Sequence, residues 1–109
     1  MRDGLVIHKY GIKCWYKDND YHREDGPAVE YTDGSKFWFQ KGERHRVGGP
    51  AEEHSDGFKV WCQNDELHRD DGPACEYSNG IKEWWYQGEQ IKCSSQQEFE
   101  KIIKLRLFW

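Results

Sequence analysis

Three His-Arg pairs, His22-Arg23, His45-Arg46 and His68-Arg69, recur at intervals of 23 residues, and each stands shortly before Gly-Pro-Ala. Imidazole beside guanidinium suggests metal ligation, acid–base chemistry or anion binding. Geometry removes the first within one chain. If each 23-residue unit adds two strands about 4.8 Å apart, equivalent residues lie about 10 Å apart, whereas a single zinc ion holds imidazole nitrogens at about 2.0–2.1 Å. Acid–base chemistry would pair His22 with Asp25 and His68 with Asp71 as base and orienter. Neither pair has a distinctive nucleophile, and the arrangement is copied where active sites are singular. The chain also lacks a Gly-rich phosphate loop, a G-x-S-x-G elbow and an H-E-x-x-H helix. The expectation is a protein with no catalytic residue, no metal and no cofactor. The local task left to these pairs is to donate to turn carbonyls, with Arg bridging to Glu30, Glu53 or Glu76.

A second repeated set is aromatic. Gly11, Gly34, Gly57 and Gly80 each open Gly-x-Lys-x-Trp, giving Trp15, Trp38, Trp61 and Trp84 with a lysine two residues earlier. Aromatic faces beside cations can stack on nucleobases. This yields one candidate ligand set, Trp38, Trp61, His45, Arg46, His68 and Arg69. Folding accounts more simply for a residue present in every unit, and lysine stems over Trp rings are ordinary cation–π packing. The middle unit departs from its siblings: it reads Val47-Gly48-Gly49-Pro50, and Glu52 and His54 replace an apolar residue and a tyrosine. Glu43, Glu52, Glu53, His54 and Asp56 there form a second candidate set, an acidic contact for a partner.

The elements that must position these residues follow from the same period. Asp33-Gly34, Asp56-Gly57 and Asn79-Gly80 signal two-residue type I′ hairpin turns. They join incoming strands 28–32, 51–55 and 74–78 to outgoing strands 35–40, 58–63 and 81–86, with 5–9 and 12–17 forming a hairpin before them. Eight strands in four hairpins result, with further turns near Asn19, Gly42, Asp65 and Gly88 and a proline at each strand start, where a missing N–H costs least. The two-residue loop puts Tyr31 opposite Lys36 and Val29 opposite Trp38. Trp and Lys then share one face, and Glu30, Glu53 and Glu76 lie with Phe37 and Val60 on the other. Segment 94–109 has no turn residues, a capping-box start at Ser95 with Glu98, and Phe99, Ile102, Ile103 and Leu107 at helical spacing. It is expected to be an amphipathic helix that caps one end of the sheet and blunts its edge; docking on a partner is the alternative. The chain thus divides into a repeat sheet, 1–93, and this helix, 94–109.

Composition narrows the partners. The 109 residues carry a net charge of −4 with 33% charged residues of interleaved sign, so no basic tail or polybasic patch invites nucleic acid or a membrane. The start, with Arg2, Asp3 and Lys9 around Leu5-Val6-Ile7, does not read as a signal peptide. Cys14, Cys62, Cys75 and Cys93 fall at different places in the repeat and form no C-x-x-C, which fits free thiols and a reducing cytoplasm.

The unit E-Y-x-D-G-x-K-x-W-F-x-x-G-E-x-H-R-x-x-G-P-A, from Glu30 to Ala51, resembles the MORN-variant repeat family, and the resemblance covers Leu5 to about Lys92. Its HRxDGPA form is similar to repeats in bacteriophage and giant-virus proteins. The resemblance implies an elongated single-layer antiparallel sheet of successive hairpins, mainly β, and a role in scaffolding and protein interaction, with lipid binding in some members. The basic groove of the lipid-binding type is missing here. The functional expectation is a non-enzymatic protein-binding module, in its sharpest form a phage-encoded inhibitor that occludes a basic surface of a host defence protein. A protein that sequesters a nucleotide or similar small anion, and a structural scaffold, are the alternatives.

Overall fold

The computed structural model describes residues 2–107. Fourteen short strands run along them: β1 (Gly4–Ile7), β2 (Lys13–Lys17), β3 (Asp20–Tyr21), β4 (Val29–Glu30), β5 (Lys36–Phe37), β6 (Phe39–Gln40), β7 (Glu43–Arg44), β8 (Glu52–Glu53), β9 (Lys59–Val60), β10 (Cys62–Gln63), β11 (Glu66–Leu67), β12 (Cys75–Glu76), β13 (Lys82–Tyr86) and β14 (Glu89–Ile91). The helix α1 (Gln96–Leu107) follows. The main sheet is open and antiparallel, in the order β1-β2-β4-β5-β8-β9-β12-β13-β14 with β3 beside β2. It is elongated, within extents of 46 × 31 × 18 Å.

The count exceeds eight because a further short strand, β3, β7, β11 or β14, follows each outgoing strand, and because two outgoing strands break at Trp38 and Trp61. Trp38 N–H donates to the Ala51 carbonyl at 2.7 Å, and Trp61 does the same to Ala74. Beyond that point the chain leaves the main sheet and pairs with the next strand as a separate hairpin, β6 with β7 and β10 with β11. Phe39 and Leu67 on these side hairpins pack against the buried clusters around Val29 and around Val60 and Cys75.

The turns differ from expectation in a way that moves every face. At Asp33-Gly34 only the glycine has positive φ, +95°. Gly34 N–H donates to the Tyr31 carbonyl at 3.1 Å and Tyr31 N–H to the Ser35 carbonyl at 2.9 Å, and Asp33 Oδ1 accepts from Ser35 N–H at 2.8 Å. The loop is therefore three residues long, and Val29 faces Phe37 while Glu30 faces Lys36. A shift of one residue exchanges the two faces of a strand. Two successive positive-φ residues occur at Asp18-Asn19, Lys41-Gly42, Asn64-Asp65 and Gln87-Gly88, and in the first hairpin at Tyr10-Gly11.

With this register one face carries Lys13, Glu30, Lys36, Glu53, Lys59, Glu76 and Lys82 on successive strands, each opposite its neighbour. Opposite charges across neighbouring strands are favourable. The other face runs Cys14, Val29, Phe37, Glu52, Val60, Cys75 and Glu83 in the same way. The glutamates of the repeat thus lie with the lysines, and Glu52 is the charge set into the middle of the apolar row.

The helix closes the C-terminal end. Phe99, 2% exposed, packs with Trp84 and Ile91. Trp84 Nε1–H donates to Gln96 Oε1 at 2.8 Å, and Arg106 holds Glu89 at 2.7 and 3.2 Å. Ser95 Oγ caps the helix by accepting from Glu98 N–H at 3.2 Å; Glu98 returns to Ser94 Oγ at 3.2 Å. Leu107, expected on the buried stripe, is exposed, and Phe108 and Trp109 of the predicted helix lie outside the described residues.

Candidate functional site

Each His-Arg-x-x-Gly-Pro loop is built the same way. The Arg23, Arg46 and Arg69 guanidinium carbons stand 3.8, 3.9 and 3.8 Å from the ring centres of Trp15, Trp38 and Trp61. Their Nη1 groups donate to the Pro27, Pro50 and Pro73 carbonyls at 3.1, 3.1 and 3.0 Å. The glycine before each proline leaves room for the guanidinium: a Cβ on Gly26, Gly49 or Gly72 would come within 2.9, 2.7 or 2.6 Å of it. Tryptophan is thus half-buried beneath arginine, and one ring face that a nucleobase would need is already covered.

The histidines receive hydrogen bonds where the sequence suggested donation. Lys41, Asn64 and Gln87 N–H donate to Nδ1 of His22, His45 and His68 at 2.9, 3.0 and 2.9 Å. Each imidazole therefore fastens the first residue of the positive-φ turn in the following repeat, and Nε2 carries the ring proton. Nor do Asp25 and Asp71 orient a histidine. Their carboxylates accept from Arg23 and Arg69 Nε at 3.0 and 2.9 Å, and the Arg69 guanidinium holds the Asp71 carboxyl below the usual range. Arginine does bridge to strand glutamates: Arg69 reaches Glu76 at 2.8 Å and Arg46 reaches Glu53 at 3.5 Å.

The middle loop keeps the scaffold and lacks the acids. Where the outer loops have Glu24-Asp25 and Asp70-Asp71, it has Val47, which is 76% exposed, and Gly48, with φ +87°. Two clefts flank it. One, of about 500 Å³, is lined by Trp38, His45 and Arg46 with Arg23, Gln40 and the acids Glu24 and Asp25; the other, of about 420 Å³, by Arg46, Trp61, His68 and Arg69 with Gln63 and the acids Asp70 and Asp71. The structure thus gathers the six residues of the candidate ligand set around two openings that share Arg46 and Val47.

The acidic set is dispersed. Glu52 lies on the apolar face with its side chain only 13% exposed. Its Oε2 accepts from Arg44 Nη1 at 2.7 Å and its Oε1 meets His54 Nε2 at 2.9 Å. Arg44 also donates through Nε to Asp65 Oδ1 at 2.9 Å. Burial would lower the Arg44 guanidinium, but hydrogen bonds to Glu52 and Asp65 outweigh it and hold its pKa above the ordinary value. His54 is wedged between Phe37 and Phe58, each 5.1 Å away centre to centre. Glu53 is on the opposite face among the lysines; Asp56 accepts from Phe58 N–H at 2.9 Å in its own turn; Glu43 is exposed on a side hairpin. Arg44 and Asp65 were missed by sequence reading. The available signal was that Arg44 stands where the neighbouring units have Tyr21 and Leu67.

The thiols are buried apart from half-buried Cys93, and burial pushes Cys62 up to about 11 and Cys75 up to about 12. Among the described residues no helix is long and apolar enough to cross a membrane. In comparisons with known proteins, no family model, no curated protein and no solved structure matches the chain.

Proposed function

We propose that this chain is a non-enzymatic binding module that engages a protein partner through its row of His-Arg loops, with the middle repeat at the centre of the contact. One observation carries this reading. Val47, 76% exposed, stands between two loops whose Glu24, Asp25, Asp70 and Asp71 side chains are 79, 88, 72 and 87% exposed. An apolar centre with a polar rim is the anatomy of a protein interface, and an acidic rim selects a partner with a basic surface and speeds its approach. The net charge of −4 acts in the same direction. Occlusion of a basic surface is the mode of action this favours; the proposal extends to a MORN-like phage protein acting on a host-defence target in the cytoplasm, and that extension rests on the repeat resemblance and composition alone.

The test is capture of a partner by the full chain and by Val47→Asp, which copies Asp70 and so leaves the loop with a side chain its neighbour already accommodates. The expected result is one stoichiometric protein retained by the wild type, released by raised salt, and held at least tenfold more weakly by the variant. Retention that is indifferent to both salt and Val47→Asp overturns the reading.

A further inference from the structure

We infer that the middle loop holds an oxyanion site at Arg46 and His45 for the carboxylate of an external ligand, in the place where the outer loops bind their own aspartate. The repeats themselves supply the template. In both outer loops arginine is fixed by tryptophan, glycine and the proline carbonyl, and its Nε then donates to Asp25 or Asp71 at 3.0 and 2.9 Å. In both, a second acid lies near histidine Nε2, Asp70 at 3.2 Å and Glu24 at 3.5 Å, the latter too poorly placed to form a hydrogen bond with His22. Arg46 has the same three supports, with Trp38 at 3.9 Å, the Pro50 carbonyl at 3.1 Å and Gly49 against the guanidinium. His45 has the same Nδ1 bond, at 3.0 Å from Asn64 N. The acids are replaced by Val47 and by Gly48, whose positive φ of +87° Asp25 and Asp71 do not share.

Two donors are thus held in place by a scaffold that, on either side, exists with a carboxylate in position. The guanidinium is oriented before any ligand arrives, so the ordering cost that weakens surface ion pairs is already met by the fold. The clefts on both sides of Arg46 leave room for an acid to approach. Glu53, 3.5 Å from Arg46 Nη1, is the nearest competing carboxylate; it reaches the guanidinium by Nη1, away from the Nε position the ligand would take. Arg23 and Arg69, the other guanidinium groups of the two clefts, have their Nε groups taken by Asp25 and Asp71, and the two remaining donors suit a carboxylate of aspartate size, which could come from a free acid or from an acidic peptide. This site goes beyond the protein-contact reading and does not require it.

The test uses the intact protein and the arginine Nε–H and imidazole resonances, titrated with acetate, inorganic phosphate and the blocked peptide N-acetyl-Asp-Asp-amide. Arg23 and Arg69 are internal controls because their Nε groups are occupied. Saturable shifts at Arg46 and His45, at least tenfold larger than at the controls, are expected. Comparable affinity for acetate and the peptide identifies a free acid as sufficient; saturation by the peptide alone identifies an acidic peptide. The double variant Val47→Asp with Gly48→Asp rebuilds the sequence of the third loop and should weaken binding at least tenfold. Arg46→Lys, which keeps the charge and loses Nε–H, should also weaken it. No saturable shift with any probe, equal shifts at all three arginines, or full affinity in the double variant overturns the inference. The partner-capture experiment reads Val47 and salt and involves none of these probes, so either proposal can fail alone.

Discussion

The charge inside the apolar row can be tested by rebuilding the row. Glu52 occupies the position of Val29 and Cys75, and Arg44 that of Tyr21 and Leu67; the two are joined at 2.7 Å with side chains 13% and 34% exposed. Arg44→Leu leaves Glu52 under the sheet with His54 as its remaining partner. Breaking a buried pair costs about 3–5 kcal/mol, and because Arg44 is about one-third exposed the loss here should be about 2–3 kcal/mol. Glu52→Val removes the buried acid while Arg44 keeps Asp65, so about 1 kcal/mol is expected from the lost charge-assisted bond. The double variant restores the apolar pair of the neighbouring units and should lie within about 1 kcal/mol of the wild type or above it. The coupling between the two sites is then at least about 2 kcal/mol, and contacting residues commonly couple by about 0.5–3 kcal/mol. Urea denaturation of the four proteins measures it. Single effects that add to within about 0.5 kcal/mol would refute the reasoning and return Glu52 to the status of a free surface acid.

Three further outcomes follow from the packing. Gly72→Ala places a methyl 2.6 Å from the Arg69 guanidinium carbon, at a glycine without positive φ; the arginine must leave Trp61, at a cost of about 1–3 kcal/mol, visible as a lowered melting temperature and altered tryptophan fluorescence. Phe99→Ala removes the most buried residue of the helix and should cost about 3–5 kcal/mol, detected by denaturation and by loss of amide protection at Trp84 and Ile91. The buried thiols set an alkaline limit: Cys62 and Cys75 rise to about 11 and about 12 from the 9.0 of the unfolded chain. The unfolded state therefore releases these protons first, so the two thiols leave stability unchanged well below pH 9 and lower it between about pH 9 and 11 with a slope approaching two protons. A denaturation midpoint that does not fall with pH over that interval would contradict it.

The period, the side turns, the prolines at strand starts and the capping helix were legible because each is a local signal repeated in register. The faces were not. A dipeptide such as Asp33-Gly34 fits a two-residue turn and also a three-residue loop in which only glycine has positive φ, and the choice rests on Asp33 accepting from Ser35 N–H, a contact composition does not announce. That one residue moved Glu30, Glu53 and Glu76 onto the lysine face and left Glu52 among Phe37 and Val60. The role of the histidines was illegible for another reason: His22 meets Lys41 at a separation of 19 residues, across the boundary of two repeats. The individuality of the middle unit could be read directly, since Val47, Gly48, Glu52 and His54 break a pattern stated once on either side.

Those departures are of two physical kinds, and the distinction indicates which of them face outward. Glu52 is an added charge, and the chain answers it from within: Arg44 replaces an apolar residue, Asp65 balances Arg44, and His54 supplies a second contact. A change compensated inside the molecule needs no partner. At Val47 and Gly48 two acids are missing, and Arg46 and His45 keep the geometry that holds them in the neighbouring loops. Among the described residues the acid paired with Arg46 is Glu53, 3.5 Å away at Nη1, while Glu24, Asp25, Asp70 and Asp71 line the clefts on either side. A repeat protein that preserves a charged scaffold while removing its counter-charges leaves an electrostatic deficit at a defined place, between two acidic loops and beneath an exposed valine. That place is where an external group has the most to gain by binding, and where substitutions should change recognition while leaving the stability of the sheet intact.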